Sequence, residues 1–193
     1  MKTKDITIKP LQNVNLEDRE YLVSLIRTIP GFPNPEITFR DFIPVFADAR
    51  GFSILIEALV DALPVQADDI DIIAGLEARG FLFGPVLASR LKKGFVAIRK
   101  AGKLPPEVVS ESYDLEYGKA SVEIEKGIIK PGQRVLIVDD LIATGGTAKA
   151  AAKLIERSKA KVAGFEFVME LTGINGMSDL SEYHCSSLTT MPA

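Results

Sequence analysis

Residues 134–152 read R-V-L-I-V-D-D-L-I-A-T-G-G-T-A-K-A-A-A and combine an apolar run, two carboxylates, a glycine turn and an alanine-rich segment. The apolar run 135–138 is mostly β-branched, which predicts a strand buried on both faces of a parallel sheet. We expect this strand to stop abruptly at Asp139 and Asp140. After the turn, the alanine-rich segment predicts a helix over residues 147–159.

The order of these groups favours a ribose 5-phosphate site. Gly145 and Gly146 lack side chains, so backbone N–H groups can approach a phosphate at the positive end of the helix dipole. Thr144 and Thr147 can add hydroxyl donors. The two aspartates only accept hydrogen bonds when ionised, so they suit the ribose diol, free or metal-bound, rather than the phosphate.

Three commoner glycine-containing turns fit this segment less well. An ordinary strand-to-helix turn would account for the glycines, but not for paired acids beside T-G-G-T. No G-x-G-x-x-G follows a predicted strand, which argues against a dinucleotide fingerprint. The segment also lacks the order of a nucleoside triphosphate loop, since Lys149 comes too late after the last glycine.

The run V-L-I-V-D-D-L-I-A-T-G-G-T resembles the phosphoribosyl diphosphate (PRPP) binding motif of the type I phosphoribosyltransferases. The resemblance implies an α/β fold with a central, mostly parallel sheet flanked by helices, a small amino-terminal hood and a flexible catalytic loop. It places the ribose hydroxyls at Asp139 and Asp140. The phosphate-binding residues that it implies are Ala143, Thr144, Gly145, Gly146 and Thr147.

The composition indicates one globular domain with an appendage. The chain has 193 residues, 47% hydrophobic and 25% charged. Its net charge of -3 argues against a general nucleic-acid binder.

Cys185 is the only cysteine and His184 the only histidine, so the chain cannot form an intrachain disulfide or a cysteine–histidine zinc cluster. No run reaches the roughly 18 apolar residues of a membrane span and no signal peptide is evident, so we expect a cytoplasmic protein without a membrane partner.

Hydrophobic periodicity predicts the remaining elements. The predicted helices cover residues 16–29, 51–63 and 81–91. The predicted strands cover residues 70–74, 94–98, 112–124 and 161–171. The strand 112–124 is expected to run antiparallel to residues 99–104.

We divide the chain into an amino-terminal helix and hood, residues 1–45, and a core, residues 46–193. The core carries a flexible loop at about residues 99–119. The polar tail from Thr172 receives no role.

The proline-dense segment F-P-N-P-E-I-T-F-R-D carries a candidate base-binding surface. From its residue type alone, Phe39 is more often a core residue than a ligand contact. The pattern is similar to the hood of the adenine phosphoribosyltransferases, which implies that Phe39 stacks on adenine and that Leu141 closes the other side. Backbone atoms near Thr38 and Arg40 would then meet N1 and the 6-amino group, since an extended chain offers the complementary donor and acceptor.

Arg79 lies in E-A-R-G-F-L-F-G-P, where a predicted strand again gives way to a helix. A turn arginine is either a solvated surface residue or a forked ligand for phosphate oxygens. The motif resembles the diphosphate-binding loop of the same family. The resemblance implies that Arg79 stabilises the departing diphosphate, and that a non-proline cis peptide lies near Glu77–Ala78.

A basic segment, R-K-A-G-K-L-P-P, begins at Arg99. It fits a solvated charge run or a mobile lid that brings cations onto a diphosphate. Followed by S-Y-D-L-E-Y-G, it is similar to the catalytic loop of adenine phosphoribosyltransferases. The resemblance implies that Arg99, Lys100 and Lys103 hold the diphosphate, and that Glu116 and Tyr117 reach the purine and the reacting carbon.

These motifs predict the conversion of adenine and PRPP into AMP and diphosphate, with Glu116 exchanging a proton with the purine. We expect Mg2+ to be held through PRPP and water near Asp139 and Asp140, without direct protein ligation. The family implies a homodimer. Two alternatives stay open: a transferase for the 6-oxopurines hypoxanthine, guanine or xanthine, and a PRPP-sensing regulator without catalysis.

Overall fold

The computed structural model describes residues 5–32, 34–115 and 118–192. Within them, eight strands form one sheet in the order β1-β10-β9-β8-β4-β5-β7-β6, and β2 and β3 form a separate pair. The strands are β1 Thr7–Ile8, β2 Arg27–Pro30, β3 Thr38–Asp41, β4 Ile72–Leu76, β5 Gly94–Lys100, β6 Val108–Leu115, β7 Gly118–Glu125, β8 Arg134–Ile142, β9 Lys161–Thr172 and β10 Cys185–Pro192.

The expected mostly parallel sheet is confirmed. Strands β10, β9, β8, β4 and β5 are mutually parallel, and antiparallel strands lie at both edges. Strand β8 lies inside the sheet between β4 and β9, which explains why its sequence is a continuous apolar run.

Five α-helices cover the sheet within the described residues. They are α1 Leu16–Leu25, α2 Ile43–Ala47, α3 Ala49–Ala62, α4 Gly80–Leu91 and α5 Gly146–Arg157. Leu136 and Val138 of β8 pack in the core with α1 to α4, whereas Val135 and Ile137 pack with α5. Alternate residues of one strand therefore serve two cores. No helix in the described part of the chain is both long and apolar enough to cross a membrane.

The predicted helix over residues 16–29 is wrong in its second half. Helix α1 ends at Leu25, and Ile26 is already extended, with φ -73° and ψ 121°. Residues Arg27–Pro30 pair with Thr38–Asp41 as the antiparallel hairpin of the hood. This pairing joins segments that a local periodicity does not connect, and it overrides the helical spacing of the isoleucines.

The expected end of the central strand is also wrong. Strand β8 continues through both aspartates to Ile142, because β9 pairs with it as far as Ile142 and Glu170. The predicted strand 112–124 is divided between β6 and β7, which pair with each other, and β7 meets β5 at Arg99 and Lys100. The helices predicted over 51–63, 81–91 and 147–159 are confirmed, with ends displaced by at most two residues.

The tail from Thr172, for which the sequence predicts no role, completes the sheet. Strand β10 pairs parallel with β9, and β1 pairs with β10. Between β9 and β10, the chain passes through a short 3-10 helix at Ser178–Leu180. This connection returns to the end of β8, where it contacts the glycine turn.

One buried carboxyl group lies in the core away from that turn. Glu166 of β9 is 0% exposed, and neither of its carboxylate oxygens has a hydrogen-bond partner among the described residues. Burial raises the pKa of Glu166 well above its usual value, and the charge of Lys9 opposes that shift. Lys9 Nζ itself donates to Ala62 O at 3.2 Å and contacts Ser186, the neighbour of Glu166 on β10.

We expect Glu166→Gln to raise the free energy of unfolding at pH 8 by more than about 1.4 kcal/mol, the free energy that corresponds to one unit of pKa shift. Because the folded-state pKa lies above the unfolded value, Glu166 does not destabilise the protein below about pH 4.5 and does so increasingly as the pH rises. The gain should therefore vanish at pH 4. Urea unfolding of the wild-type protein and of Glu166→Gln between pH 4 and 8 measures this difference in the free energy of unfolding. Glu125→Gln, at an exposed position, is the control. A difference that does not vary with pH would contradict this account.

Candidate active site

The two aspartates of β8 lie at the carboxyl edge of the parallel strands, and they diverge. Successive side chains of a strand point to opposite faces. Asp139 lines a crevice of about 140 Å³ together with Arg79, Leu141 and residues 143–147. Asp140 is 3% exposed and pairs with Arg79, its carboxylate Oδ2 lying 2.8 Å from Arg79 Nε.

The ion pair with Asp140 orients Arg79 toward the crevice. Arg79 immediately precedes α4, and 43% of its side chain stays exposed. One edge of the guanidinium is thus held by a buried carboxylate, while the remaining N–H groups are available to an anion. The sequence predicts Arg79 at the diphosphate and Asp140 at the ribose, but it gives no sign that they contact each other.

Both carboxyl groups have raised pKa values. Burial, and then the neighbouring Asp140 carboxylate, raise the pKa of Asp139 to about 8. Burial also raises the pKa of Asp140, and the Arg79 guanidinium opposes that shift. A cation bound in the crevice would favour the ionised forms of both acids and would therefore lower both pKa values.

The glycine turn is fixed by the tail of the chain. Gly145 has φ +78°, and a methyl group there would lie 2.8 Å from the carbonyl oxygen of Gly176. A methyl group on Gly176 would lie 2.0 Å from the carbonyl oxygen of Ala143. The two backbones thus approach too closely for side chains, and the turn leads directly into the first hydrogen bond of α5, from Lys149 N to Gly145 O at 2.9 Å.

A tyrosine from the edge hairpin also contacts this turn. Thr147 Oγ1 donates a hydrogen bond of 3.0 Å to the hydroxyl oxygen of Tyr113. The ring carbon Cδ2 of Tyr113 would lie 3.5 Å from a methyl group placed on Gly146. Tyr113 also lines an adjoining cavity of about 510 Å³, which shares Leu76, Asp139 and Thr147 with the crevice.

The segment predicted to be a lid begins beside the Arg79 loop. Glu77 accepts hydrogen bonds from Lys100 N at 2.8 Å and from Arg99 Nη2 at 3.0 Å. Burial raises the pKa of Glu77, but these hydrogen bonds outweigh it, so the pKa is lowered. Lys100 lines the larger cavity, whereas Arg99 also binds the carbonyl oxygen of Lys103 at 3.0 Å. The Glu77–Ala78 peptide is cis, as the resemblance implies.

Comparison with known proteins identifies the family. The family described as phosphoribosyl transferase domain matches residues 52–186. An adenine phosphoribosyltransferase of Bifidobacterium adolescentis is 66% identical over 193 residues, which are 100% of both chains. The chain belongs to the adenine phosphoribosyltransferase family.

Solved structures of adenine phosphoribosyltransferases agree with this assignment. The enzyme from Thermoanaerobacter pseudethanolicus is 50% identical with a TM-score of 0.83, covering 88% of this chain and 97% of that one. The enzyme from Saccharomyces cerevisiae, crystallised with an imino-altritol bisphosphate and adenine, is 44% identical with a TM-score of 0.82. That match covers 90% of this chain and 99% of the yeast chain.

The hood of this adenine phosphoribosyltransferase lies outside both cavities as the described residues form them, since Thr38, Phe39 and Arg40 are not among the lining residues. The Phe39 ring packs edge-to-face on Phe32 at 5.3 Å. The Arg40 side chain is buried and pairs with Asp5. The backbone of β3 keeps one edge outside the two-stranded ladder, and this edge is the part of the hood suited to a base.

The predicted site residues fall into three groups. Arg79, Asp139, Leu141 and residues 143–147 surround one crevice, and Lys100 lies at the adjoining cavity. The hood residues, Asp140 and the side chains of Arg99 and Lys103 do not join these linings; Asp140 contacts Arg79 instead. Glu116 and Tyr117 lie outside the described residues, so their roles stay predictions.

Sequence reasoning missed the contacts of Tyr113, Gly176 and Glu77. Tyr113 belongs to the motif S-Y-D-L-E-Y-G, and Gly176 to the glycine-containing tail. Their residue types are visible in the sequence. Their partners, by contrast, depend on how distant segments pack.

Proposed function

We propose that this adenine phosphoribosyltransferase moves the ribose 5-phosphate group of PRPP to N9 of adenine, giving AMP and diphosphate. The observation that carries the proposal is the crevice itself, which gathers Arg79, Asp139 and the turn 143–147 around one volume. The presence of adenine and a bisphosphate in the yeast relative supports it.

The glycine turn would hold the 5-phosphate. Its backbone N–H groups and the start of α5 provide donors and a positive dipole end for a phosphate dianion. Thr144 and Thr147 add hydroxyls. Asp139 would accept hydrogen bonds from the ribose hydroxyls, as carboxylates do. The same role for Asp140, which is buried against Arg79, rests on the resemblance to the family.

Arg79 would stabilise the leaving group. The reaction breaks an anomeric C–O bond through an oxocarbenium-like transition state, and negative charge grows on the diphosphate as the bond lengthens. Arg79 lines the crevice and its Nε binds Asp140, so its other N–H groups would be free to bind the diphosphate. Lys100 would add a second cation from the adjoining cavity, and Arg99 and Lys103 would join when the lid closes.

Glu116 and Tyr117 complete the proposal by resemblance. Glu116 would exchange a proton with the purine ring, and Tyr117 would reach the reacting carbon. The hood residues Thr38, Phe39 and Arg40 would bind the base opposite Leu141. These five roles rest on the resemblance to the family.

The residues present fit Mg2+ held through substrate. The described residues contain no group of three or more His, Cys, Asp or Glu side chains placed to hold a metal. Asp139 nonetheless faces the crevice, and a carboxylate with water and PRPP oxygens is a donor set that Mg2+ prefers. When bound, the ion would neutralise charge on the diphosphate and orient it.

The test is adenine-dependent release of diphosphate from PRPP, measured with Mg2+ and with excess chelator. We expect release to require adenine and to fall at least about 100-fold without the metal. Hypoxanthine, guanine and xanthine serve as matched bases and should give less than about a hundredth of the adenine rate. Equal rates with a 6-oxopurine would favour a 6-oxopurine phosphoribosyltransferase. Binding of PRPP without turnover of any base would favour a PRPP-sensing regulator without catalysis.

We further propose that the protein forms a homodimer. We also propose that it is cytoplasmic and has no nucleic-acid partner. Val86 and Leu82 are large apolar side chains left exposed one turn apart on α4, and Val86 lines a cavity of about 520 Å³ between α3 and α4. A second copy packed there would cover this surface. Analytical ultracentrifugation should give a dimer that Val86→Glu disrupts.

A further inference from the structure

The hairpin β6–β7 is fastened to α5, the helix that starts at the phosphate turn. Glu111 of β6 lies between two cations of α5, with Oε2 2.9 Å from Arg157 Nη1 and Oε1 3.5 Å from Lys153 Nζ. Arg157 Nη1 also donates to Ser110 O at 2.7 Å. Two residues further along the same strand, Tyr113 reaches the other end of the helix.

Two contacts therefore hold Tyr113 at the turn: the attachment of strand β6 to α5 and the hydrogen bond of its own hydroxyl group. Its hydroxyl oxygen is 3.0 Å from Thr147 Oγ1, and a methyl group placed on Gly146 would lie 3.5 Å from its ring carbon Cδ2. Tyr113 and Glu111 lie on one face of β6, since their positions differ by two. The charged pair at Glu111 and the hydroxyl contact at Tyr113 thus hold the same face of the hairpin to α5.

The hydroxyl contact has a consequence when phosphate binds. A threonine hydroxyl can donate one hydrogen bond, and in this structure Thr147 donates it to the hydroxyl oxygen of Tyr113. If Thr147 donates this hydrogen bond to a phosphate oxygen instead, its own oxygen can still accept a hydrogen bond. Tyr113 can donate that bond by rotating its O–H group. The result is a chain from Tyr113 to Thr147 to phosphate, in which each hydrogen bond polarises the next.

We infer that Tyr113 is a positioning residue that couples the hairpin β6–β7 to occupancy of the phosphate turn. The inference rests on the proposed function, because it requires a sugar phosphate at Thr147. Phosphate binding then strengthens the Tyr113–Thr147 contact, and a docked hairpin strengthens phosphate binding by the same factor. Strand β6 belongs to the predicted catalytic loop, about residues 99–119, so the coupling links arrival of PRPP to the position of that strand.

The experiment compares Tyr113→Phe with the wild-type enzyme. We expect the KM for PRPP and the dissociation constant of AMP to rise about 5- to 20-fold, while adenosine, which lacks the phosphate, binds as before. Tyr183→Phe is the matched control, because Tyr183 donates to Glu156 Oε1 on the same helix at 2.8 Å, away from the crevice. This control should leave all three quantities unchanged.

A double-mutant cycle separates coupling from a structural effect. In a Thr147→Val background, Tyr113→Phe should cost less than about 2-fold in AMP affinity, because its partner hydroxyl is gone. An equal loss in both backgrounds, or unchanged AMP binding by Tyr113→Phe alone, would overturn the inference while leaving the proposed function intact. A wild-type protein that does not bind AMP would instead reject the proposed function, and with it the site on which the inference rests.

Discussion

Gly145→Ala is expected to raise the KM for PRPP and the dissociation constant of AMP by at least about 100-fold. The methyl group would lie 2.8 Å from Gly176 O, on a residue whose φ of +78° already disfavours a side chain. The turn must move to accept it, and its N–H groups then no longer converge on one phosphate. We also expect the free energy of unfolding to fall by about 2–3 kcal/mol.

The matched control is Gly132→Ala. Gly132 has φ +82°, but a methyl group there meets nothing within 4 Å. It should lower the free energy of unfolding by about 1 kcal/mol, the cost of the backbone strain alone, and leave the kinetics unchanged. Steady-state kinetics and urea unfolding of both variants distinguish the effect of backbone strain, which both share, from the effect of the steric clash with Gly176 O, which only Gly145→Ala has. Wild-type affinity for PRPP in Gly145→Ala would show that the turn does not hold the phosphate.

Arg79→Ala is expected to lower kcat/KM for PRPP by about 10³-fold. The substitution removes the cation that faces the crevice and leaves Asp140, 3% exposed, without its partner. Arg79→Lys should recover only part of the activity, because an ammonium group cannot contact Asp140 and two anionic oxygens in one plane. Rapid-quench measurement of diphosphate formation at saturating adenine reports the effect on the chemical step.

A second substitution separates catalysis from stability at this position. Arg79 is partly exposed, so loss of the pair should lower the free energy of unfolding by only about 1–2 kcal/mol. Adding Asp140→Asn should restore that stability without restoring activity. Arg50→Ala, which breaks an exposed ion pair with Asp18, serves as the control and should turn over normally. Full activity of Arg79→Ala would remove Arg79 from the mechanism.

The sequence predicted the parts of this enzyme that depend on contiguous residues. The apolar run 135–138 indicated a strand buried on both faces, and it lies inside the sheet with alternate residues in two cores. The turn after Ala143 was predicted to precede a helix, and α5 begins at Gly146. These predictions succeeded because strand burial, glycine turns and helix starts are set by local chemistry.

The rest depends on pairings between distant segments. Ile26 and Ile29 have helical spacing with Leu22, yet the hood hairpin takes Arg27–Pro30 as a strand. The ion pair of Arg79 with Asp140 and the approach of Gly176 to Ala143 join residues from different elements. Nothing in the spacing of a single sequence identifies such partners, so the polar and backbone contacts that orient the site appear only in the folded chain.

A crystal structure of the protein grown with AMP tests the central claim most directly. We predict the phosphate within about 3 Å of the backbone N–H groups of residues 144–147, ribose hydroxyls at Asp139 and Asp140, and adenine between Phe39 and Leu141. AMP bound elsewhere, or a crevice filled by the protein's own side chains, would contradict the account.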